Sequence, residues 1–441
     1  MSTRRLIVVL LLLGVLLGAC LGAIMASGNL TRVPWRFVLL FLLALGGWGG
    51  ASWCTFRHAS DRRREVLWVV LGGAVLFRAL LLPAGPSLST DLYRYLWDGK
   101  VQQAGINPYR FPPAAQELAH LRDDASFPAI NHPDWVTIYP PGAQLFFRFM
   151  AWLAPGSVLA MKGLFLLFDL ASCGLIVVLL KQYGMDPSRV ILYAWHPLVL
   201  VEVAGSGHLD AVVVPLMLGA LALAGRGRLT GAGLLLGLGG SVKLYPLLLL
   251  PAIAGRRPWR PLGGAMAMVT AGYLPFLFGE ASPLGSVGRF VQDDWFNPGI
   301  RLWAEQAFEA VGMDPGSLVR WGTLVAVGFV GVWIWLGAGS HSLVERALWM
   351  LGAYLLLIPN LFPWYVVSII PLLCLTPSWP WLWLSGAVGL SYLFFAREPW
   401  SVPLWVMLME FVPFCAGLLL AWLYRVAPQS LWLGWARRKE A

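Results

Sequence analysis

Residues 6–25 carry no charged side chain, and apolar stretches of that kind recur to the end of the chain. About 20 consecutive apolar residues carry a helix across the hydrocarbon of a bilayer. Inside lipid every peptide group must find a partner within the protein, so only helices and closed barrels cross. Here the apolar residues run continuously instead of alternating with polar ones, the pattern of helices and not of barrel strands. Charge content agrees. Only 12% of the 441 residues are charged and 58% are hydrophobic, against about 25% charged in a soluble domain. Too few charges remain to cover a water-facing surface.

The candidate spans are 6–25, 37–53, 66–82, 159–180, 190–203, 211–224, a Gly-broken stretch 229–254, 262–278, 318–336, 343–358, 362–375, 380–395 and 404–423. The expected fold class is all-α, a polytopic membrane protein with about 12–14 transmembrane helices, forming one membrane domain over 1–441. The start, Arg4-Arg5 before an apolar run, also resembles a signal peptide, and Leu17-Gly18-Ala19-Cys20 approximates a lipoprotein cleavage box. Glycine before the alanine fits that box poorly and many spans follow, so an uncleaved first helix is expected.

The net charge of +10 is not a nucleic-acid signature, because of where the charges sit. Basic residues cluster in short loops: Arg4-Arg5, Arg57 with Arg62-Arg63-Arg64, Lys181 with Arg189, Arg226 with Arg228, Arg256-Arg257 with Arg260, and Arg437-Arg438-Lys439. Such clusters mark the cytoplasmic side. Threading the spans between them puts both termini in the cytoplasm of a cell with this protein in its inner (plasma) membrane. Segments 83–157, 279–317 and 359–362 then face the other side. They hold most of the acids. The five cysteines, Cys20, Cys54, Cys173, Cys374 and Cys415, show neither metal-binding spacing nor a disulfide framework.

The densest polar run is Ser89-Thr90-Asp91-Leu92-Tyr93-Arg94-Tyr95-Leu96-Trp97-Asp98-Gly99-Lys100-Val101-Gln102. Ser89 or Thr90 is a natural N-cap, and Gly105 with Asn107-Pro108 a natural stop. Asp91, Arg94, Tyr95, Asp98 and Gln102 share one helical face. Asp91 falls in the first turn, where the helix dipole favours a carboxylate. An ionised carboxylate there is able to take a proton from an attacking hydroxyl, and Arg94 either pairs with Asp98 or holds a phosphate. The bland reading is an interfacial amphipathic helix with solvated charges, but solvation alone gives no reason for so dense a cluster.

This run resembles the first external loop of GT-C glycosyltransferases, especially bacterial polyprenol-phosphate-mannose-dependent mannosyltransferases. The likeness rests on Asp91-Leu92-Tyr93-Arg94-Tyr95, Trp97-Asp98-Gly99 and Gly105-Ile106-Asn107-Pro108-Tyr109. It continues at Ile138-Tyr139-Pro140-Pro141-Gly142, His196-Pro197-Leu198, Glu202, Gly205-Ser206-Gly207-His208-Leu209-Asp210, Lys243-Leu244-Tyr245-Pro246 and Phe362-Pro363-Trp364-Tyr365. The resemblance implies a GT-C-like fold with its catalytic loop in 83–157 and gives Asp91 the part of catalytic base. Related loops often carry an acidic pair, whereas Thr90 precedes Asp91 here, so no obligatory metal or other cofactor is expected.

Arg78, Arg94, Asp98, Asn107, Tyr109, Tyr139, Glu202, His208, Asp210, Lys243 and Arg301 are the substrate-binding candidates. Glu202, His208 and Asp210 flank a Gly-Ser-Gly break, and ionisable groups at membrane depth are expensive and usually functional. Lys243, in a Gly-interrupted segment, either reaches a phosphate or snorkels to the interface. Asp169 and Glu410 sit within apolar spans, where pairing with a hydroxyl or amide is expected. Arg289, Asp293 and Asp294 read as solvated charge. The expected activity is transfer of a sugar, mannose by resemblance, from a polyprenyl phosphate in the bilayer to a hydroxyl of a glycan, glycolipid or protein, with inversion and without nucleic acid. The rivals are a transporter or flippase of a lipid-linked sugar and a non-catalytic scaffold. A transporter should show paired broken helices in two related halves, and no such repeat is visible.

Overall fold

The computed structural model describes residues 2–58, 64–124, 126–278, 281–293, 296–313, 315–337 and 339–426. Arg62, Arg63, Asp294 and the basic tail Arg437-Arg438-Lys439 lie outside the described residues. Among those described, the secondary structure is helical throughout, without a strand. The chain is a polytopic all-α membrane protein.

Helices α1 (Thr3–Ala26), α2 (Pro34–Arg57) and α3 (Arg64–Leu81) open the fold, with α1 packed on both others. Leu6, Leu10, Gly14, Leu17, Leu21 and Ile24 form the buried stripe of α1, spaced by three or four residues as one helical face requires. Its opposite face leaves Leu12 66% and Val15 71% exposed. In water such a face would drive aggregation; in lipid it is the outer wall. By length and composition, Thr3–Ala26, Pro34–Arg57, Val158–Gln182 and Leu404–Leu423 suffice to cross a membrane, and shorter apolar helices such as Asp210–Ala224 and Leu229–Val242 accompany them.

Several spans that read as continuous in the sequence are broken. In 190–203 the helix stops at Trp195, because a residue before proline is pushed out of the α region. His196 adopts φ −64°, ψ 121° and its ring caps the Leu198 N–H at 3.1 Å. A π-helical turn, Leu200–Ser206, follows. The stretch 229–254 resolves into Leu229–Val242, an extended Lys243, a 3₁₀ turn Tyr245–Leu249 and Leu250–Ala254. Likewise 362–375 divides into Pro363–Val366 and Ile370–Leu375. These breaks are the places where backbone and polar side chains turn inward.

Between α3 and α6 (Val158–Gln182) lies the segment 83–157, which holds α4 (Asp91–Gln103) and α5 (Pro141–Leu153). Helix α4 ends where Gly105 takes φ +77°, a conformation glycine adopts without a Cβ penalty. It lies tight on α5: a Cβ at Gly99 would come 2.5 Å from the Phe147 carbonyl oxygen. The polar face expected of α4 points inward, with Arg94, Tyr95, Asp98 and Gln102 all buried. Leu92, Leu96 and Trp97 are buried too, so α4 is embedded and not laid on a surface.

Candidate functional site

A cavity of about 1440 Å³ opens between the 83–157 segment and the later helices. Leu244, Leu248, Leu324, Val327, Leu357 and Ile358 make one side apolar, and Phe296, Phe362, Phe394, Phe395 and Trp400 give it an aromatic wall. Polar groups are few and concentrated: Asp91, Arg94, Asn131, Tyr139, Lys243 and Arg301 all line it. Such a container suits a ligand that is mostly hydrocarbon with a charged or hydroxylated head.

Asp91 is the first residue of α4, where its Oδ1 accepts a hydrogen bond from Asn131 Nδ2 at 2.8 Å. Thr90 occupies the N-cap position without a side-chain cap bond, and Ser89 Oγ instead accepts from the Asp91 N–H at 3.3 Å. The Asp91 side chain is 16% exposed. Burial pushes its carboxyl above the ordinary carboxylate range, against the nearby Lys243 charge and the Asn131 hydrogen bond. The helix dipole was expected to favour ionisation; the loss of water outweighs it.

Across the cavity wall, Lys243 Nζ lies 2.6 Å from Asp210 Oδ2 and 5.2 Å from the Tyr365 ring centroid. Tyr245 donates to the other Asp210 oxygen at 3.1 Å. The helix break that leaves Lys243 extended at φ −142°, ψ 142° is what turns its side chain toward the cavity. The Gly-rich helix before it, with Gly233, Gly237 and Gly264 at the contact, lets Leu229–Val242 and Trp259–Leu277 lie backbone to backbone.

Glu202 and His208 stand just behind Asp91. Glu202 Oε1 accepts from Tyr392 at 2.7 Å. The His208 ring is stacked on Trp364 with centroids 4.0 Å apart. Gly207 makes this possible: at φ +78° it closes the π-helical turn, so that its own N–H and that of His208 both reach the Glu202 carbonyl at 3.1 Å.

Other candidates go elsewhere. Arg78 is 1% exposed and is taken up by Asp169, by the Ala74 carbonyl at 3.0 Å and by the Ala194 carbonyl at 2.7 Å. Tyr193 also donates to Asp169. This knot ties α3 to α6, and Arg78 does not line the cavity. Asp98 accepts from Arg94 and from Gln144, each at 2.9 Å, and Gln144 also reaches Thr137 at 2.8 Å. Its carboxylate is thus spent holding α4 on α5. Asn107 caps the Tyr109 N–H at 3.0 Å, and Tyr109 donates to the Tyr139 carbonyl at 2.7 Å; both brace the loop beneath the site. Arg301 lines the cavity with its Nε 2.6 Å from Glu305. Glu410 pairs with the Asn297 amide at 2.7 Å, and Asp169 with a hydroxyl, as expected of acids within apolar spans. Arg289 faces Asp134 at 3.3 Å on an exposed edge.

Sequence reasoning passed over Asn131, Gln144, Tyr245 and Tyr392. Asn131 lies 40 residues from Asp91 in a loop without periodicity, so no spacing rule connects them. Tyr245 and Tyr392 sit in apolar runs where an aromatic ring reads as packing. Among the described residues no three His, Cys, Asp or Glu side chains converge as a metal-holding cluster.

Residues 8–256 match a family model described as alpha-(1->6)-mannopyranosyltransferase, N-terminal domain. The chain is 24% identical over 330 residues to alpha-(1->6)-mannopyranosyltransferase A of Mycobacterium tuberculosis, covering 66% of this chain and 62% of that relative. It therefore spans less than two thirds of the length of that curated relative. A shorter match, 35% identical over 117 residues, is to GPI mannosyltransferase 1 of Aspergillus fumigatus, covering 24% of this chain and 27% of the relative. No solved structure matches.

Proposed function

Because the chain belongs to the alpha-(1->6)-mannopyranosyltransferase family, we propose that it is a membrane glycosyltransferase that moves mannose from a polyprenyl phosphate to an acceptor hydroxyl. The observation that carries this reading is a carboxylate, Asp91, on the wall of a large apolar cavity that also holds the Lys243 ammonium. The polyprenyl tail lies against Leu244, Leu248, Leu324, Val327, Leu357 and Ile358. Lys243, Arg301 and Arg94 surround the phosphate. Tyr139 and Asn131 stand beside the reacting sugar.

Asp91 takes the proton of the acceptor hydroxyl as its oxygen bonds to the sugar C1. The C1–O bond to phosphate breaks, and polyprenyl phosphate leaves with the electron pair. One displacement at C1 inverts it. Lys243 offsets the charge that grows on the leaving phosphate, where preorganised charge acts most strongly. The acceptor is a glycan, glycolipid or protein. The basic clusters place both termini in the cytoplasm and this chemistry on the opposite side of the inner membrane.

The test supplies the purified protein in lipid nanodiscs with radiolabelled polyprenyl-phosphate mannose and acceptor glycans. Transfer that Asp91→Asn abolishes while donor binding persists supports the reading. Failure to transfer sugar from any polyprenyl phosphate, or full turnover by Asp91→Asn, overturns it. A flippase would move lipid across the bilayer whether or not residue 91 is acidic.

A further inference from the structure

His208 lies between two carboxylates that come from different parts of the chain. Its Nδ1 is 3.8 Å from Asp91 Oδ2, and its Nε2 is 3.2 Å from Glu202 Oε2. The ring is 1% exposed and Glu202 is fully buried. Neither ring nitrogen, nor Glu202 Oε2, makes an aligned hydrogen bond to a described residue. Buried polar atoms are seldom left in that state, because it forfeits their hydration without replacement. Everything around the ring is otherwise fixed: Trp364 covers one face, Gly207 sets the backbone, and Tyr392 holds the far oxygen of Glu202. The remaining charges near the ring, Lys243 and Asp210, pair with each other. The line Asp91, His208, Glu202 therefore leads from the cavity wall into the protein with open valences at each joint.

We propose that His208 is a positioning residue that links Asp91 to Glu202 as a proton relay, which rests on the reading of Asp91 as the base. When Asp91 has taken the acceptor proton, its Oδ2–H turns to His208 Nδ1. The imidazole binds that proton and releases the one on Nε2 to Glu202 Oε2. One proton enters the ring and one leaves it, Asp91 is again a carboxylate, and Glu202 becomes the neutral acid. Nothing is oxidised or reduced. Asp91 thus stays ionised while the phosphate departs, which prevents the proton from returning to the new glycosidic oxygen. After product release the same path in reverse delivers the proton to the cavity.

The test joins kinetics to a spectroscopic signal that does not need turnover. Glu202→Gln keeps the volume and a partner for Tyr392, and His208→Gln removes the ring. Each lowers kcat by about 10²-fold, the scale of lost proton-transfer assistance, with donor KM changed less than twofold. In protein labelled with ¹⁵N-histidine, the His208 ring signals titrate with Asp91, and Asp91→Asn abolishes that titration. Wild-type kcat in both variants overturns the relay, as does a His208 signal indifferent to Asp91→Asn while transfer proceeds. Coupled ring signals in a protein that transfers no sugar from any donor point instead to failure of the transferase reading, and remove the relay with it.

Discussion

The Lys243 ammonium is held 2.6 Å from Asp210, on the same cavity that Asp91 lines. A lysine on a flexible stem is normally a poorly fixed charge. Here Asp210 and the Tyr365 ring hold it in one place, so no ordering is needed when a phosphate arrives. Lys243→Gln is expected to raise donor KM about tenfold to a hundredfold, the loss of one charge-assisted hydrogen bond. A steady-state titration of donor checks this; an unchanged KM removes Lys243 from the phosphate site.

Asp91→Asn keeps shape and the contact with Asn131 but cannot accept a proton. Turnover should fall by about 10²–10⁴-fold, as for loss of a general base, while donor binding measured by filter retention stays within a factor of two. Equal loss of binding would mean that residue 91 shapes the pocket and does not act on the acceptor.

The pH profile follows from the same carboxyl. Burial raises it above the ordinary carboxylate range, and only its ionised form is a base. Turnover should therefore rise with pH through a midpoint higher than that of a free aspartate, and be lost below it. In stability the sign is opposite: a raised acid favours the fold while protonated, and that contribution fades as pH increases through its folded value. A kcat–pH curve already flat at the pH where free aspartate titrates contradicts this.

Arg78 separates structure from binding. Arg78→Leu strands the fully buried Asp169 carboxylate, a defect of about 3–5 kcal/mol. Thermal unfolding in detergent should report it as a large fall in midpoint, with donor KM unaffected in the surviving protein. Adding Asp169→Leu should recover much of the loss. A raised KM with unchanged midpoint would restore Arg78 to the phosphate.

Gly207→Ala forces a left-handed Cβ at φ +78° against the Leu92 side chain. The strain alone costs about 1–2 kcal/mol. Since the turn aims His208, kcat should drop further than the loss of folded protein explains, measurable as rate per active site.

The spans, the inward-facing break at Gly205-Ser206-Gly207 and the importance of Asp91 were legible because each rests on local pattern: apolar length, turn residues, a helix cap. Roles that depend on which partner a charge meets were not. Arg78 and Asp98 read as reachable cations and acids, yet their partners, Asp169 and Gln144, lie 91 and 46 residues away. Asn131 shows the converse. An asparagine in a loop has no signature until α4 is folded against it. The breaks in 190–203 and 229–254 were written in His196-Pro197 and Pro246, but hydropathy averages over a window and hides them.

The π-helical turn at Leu200–Ser206 also limits how this stretch can vary. Each residue in a helix turns the chain by about 100°, and a π turn holds one residue more than an α turn. Deleting any one of these residues would let the segment relax into a regular α-helix and swing everything after it around the axis. His208 would then face lipid or a neighbouring helix while every side chain needed for chemistry was still present. Substitutions here are graded in effect, whereas a change of length by a single codon is all or nothing.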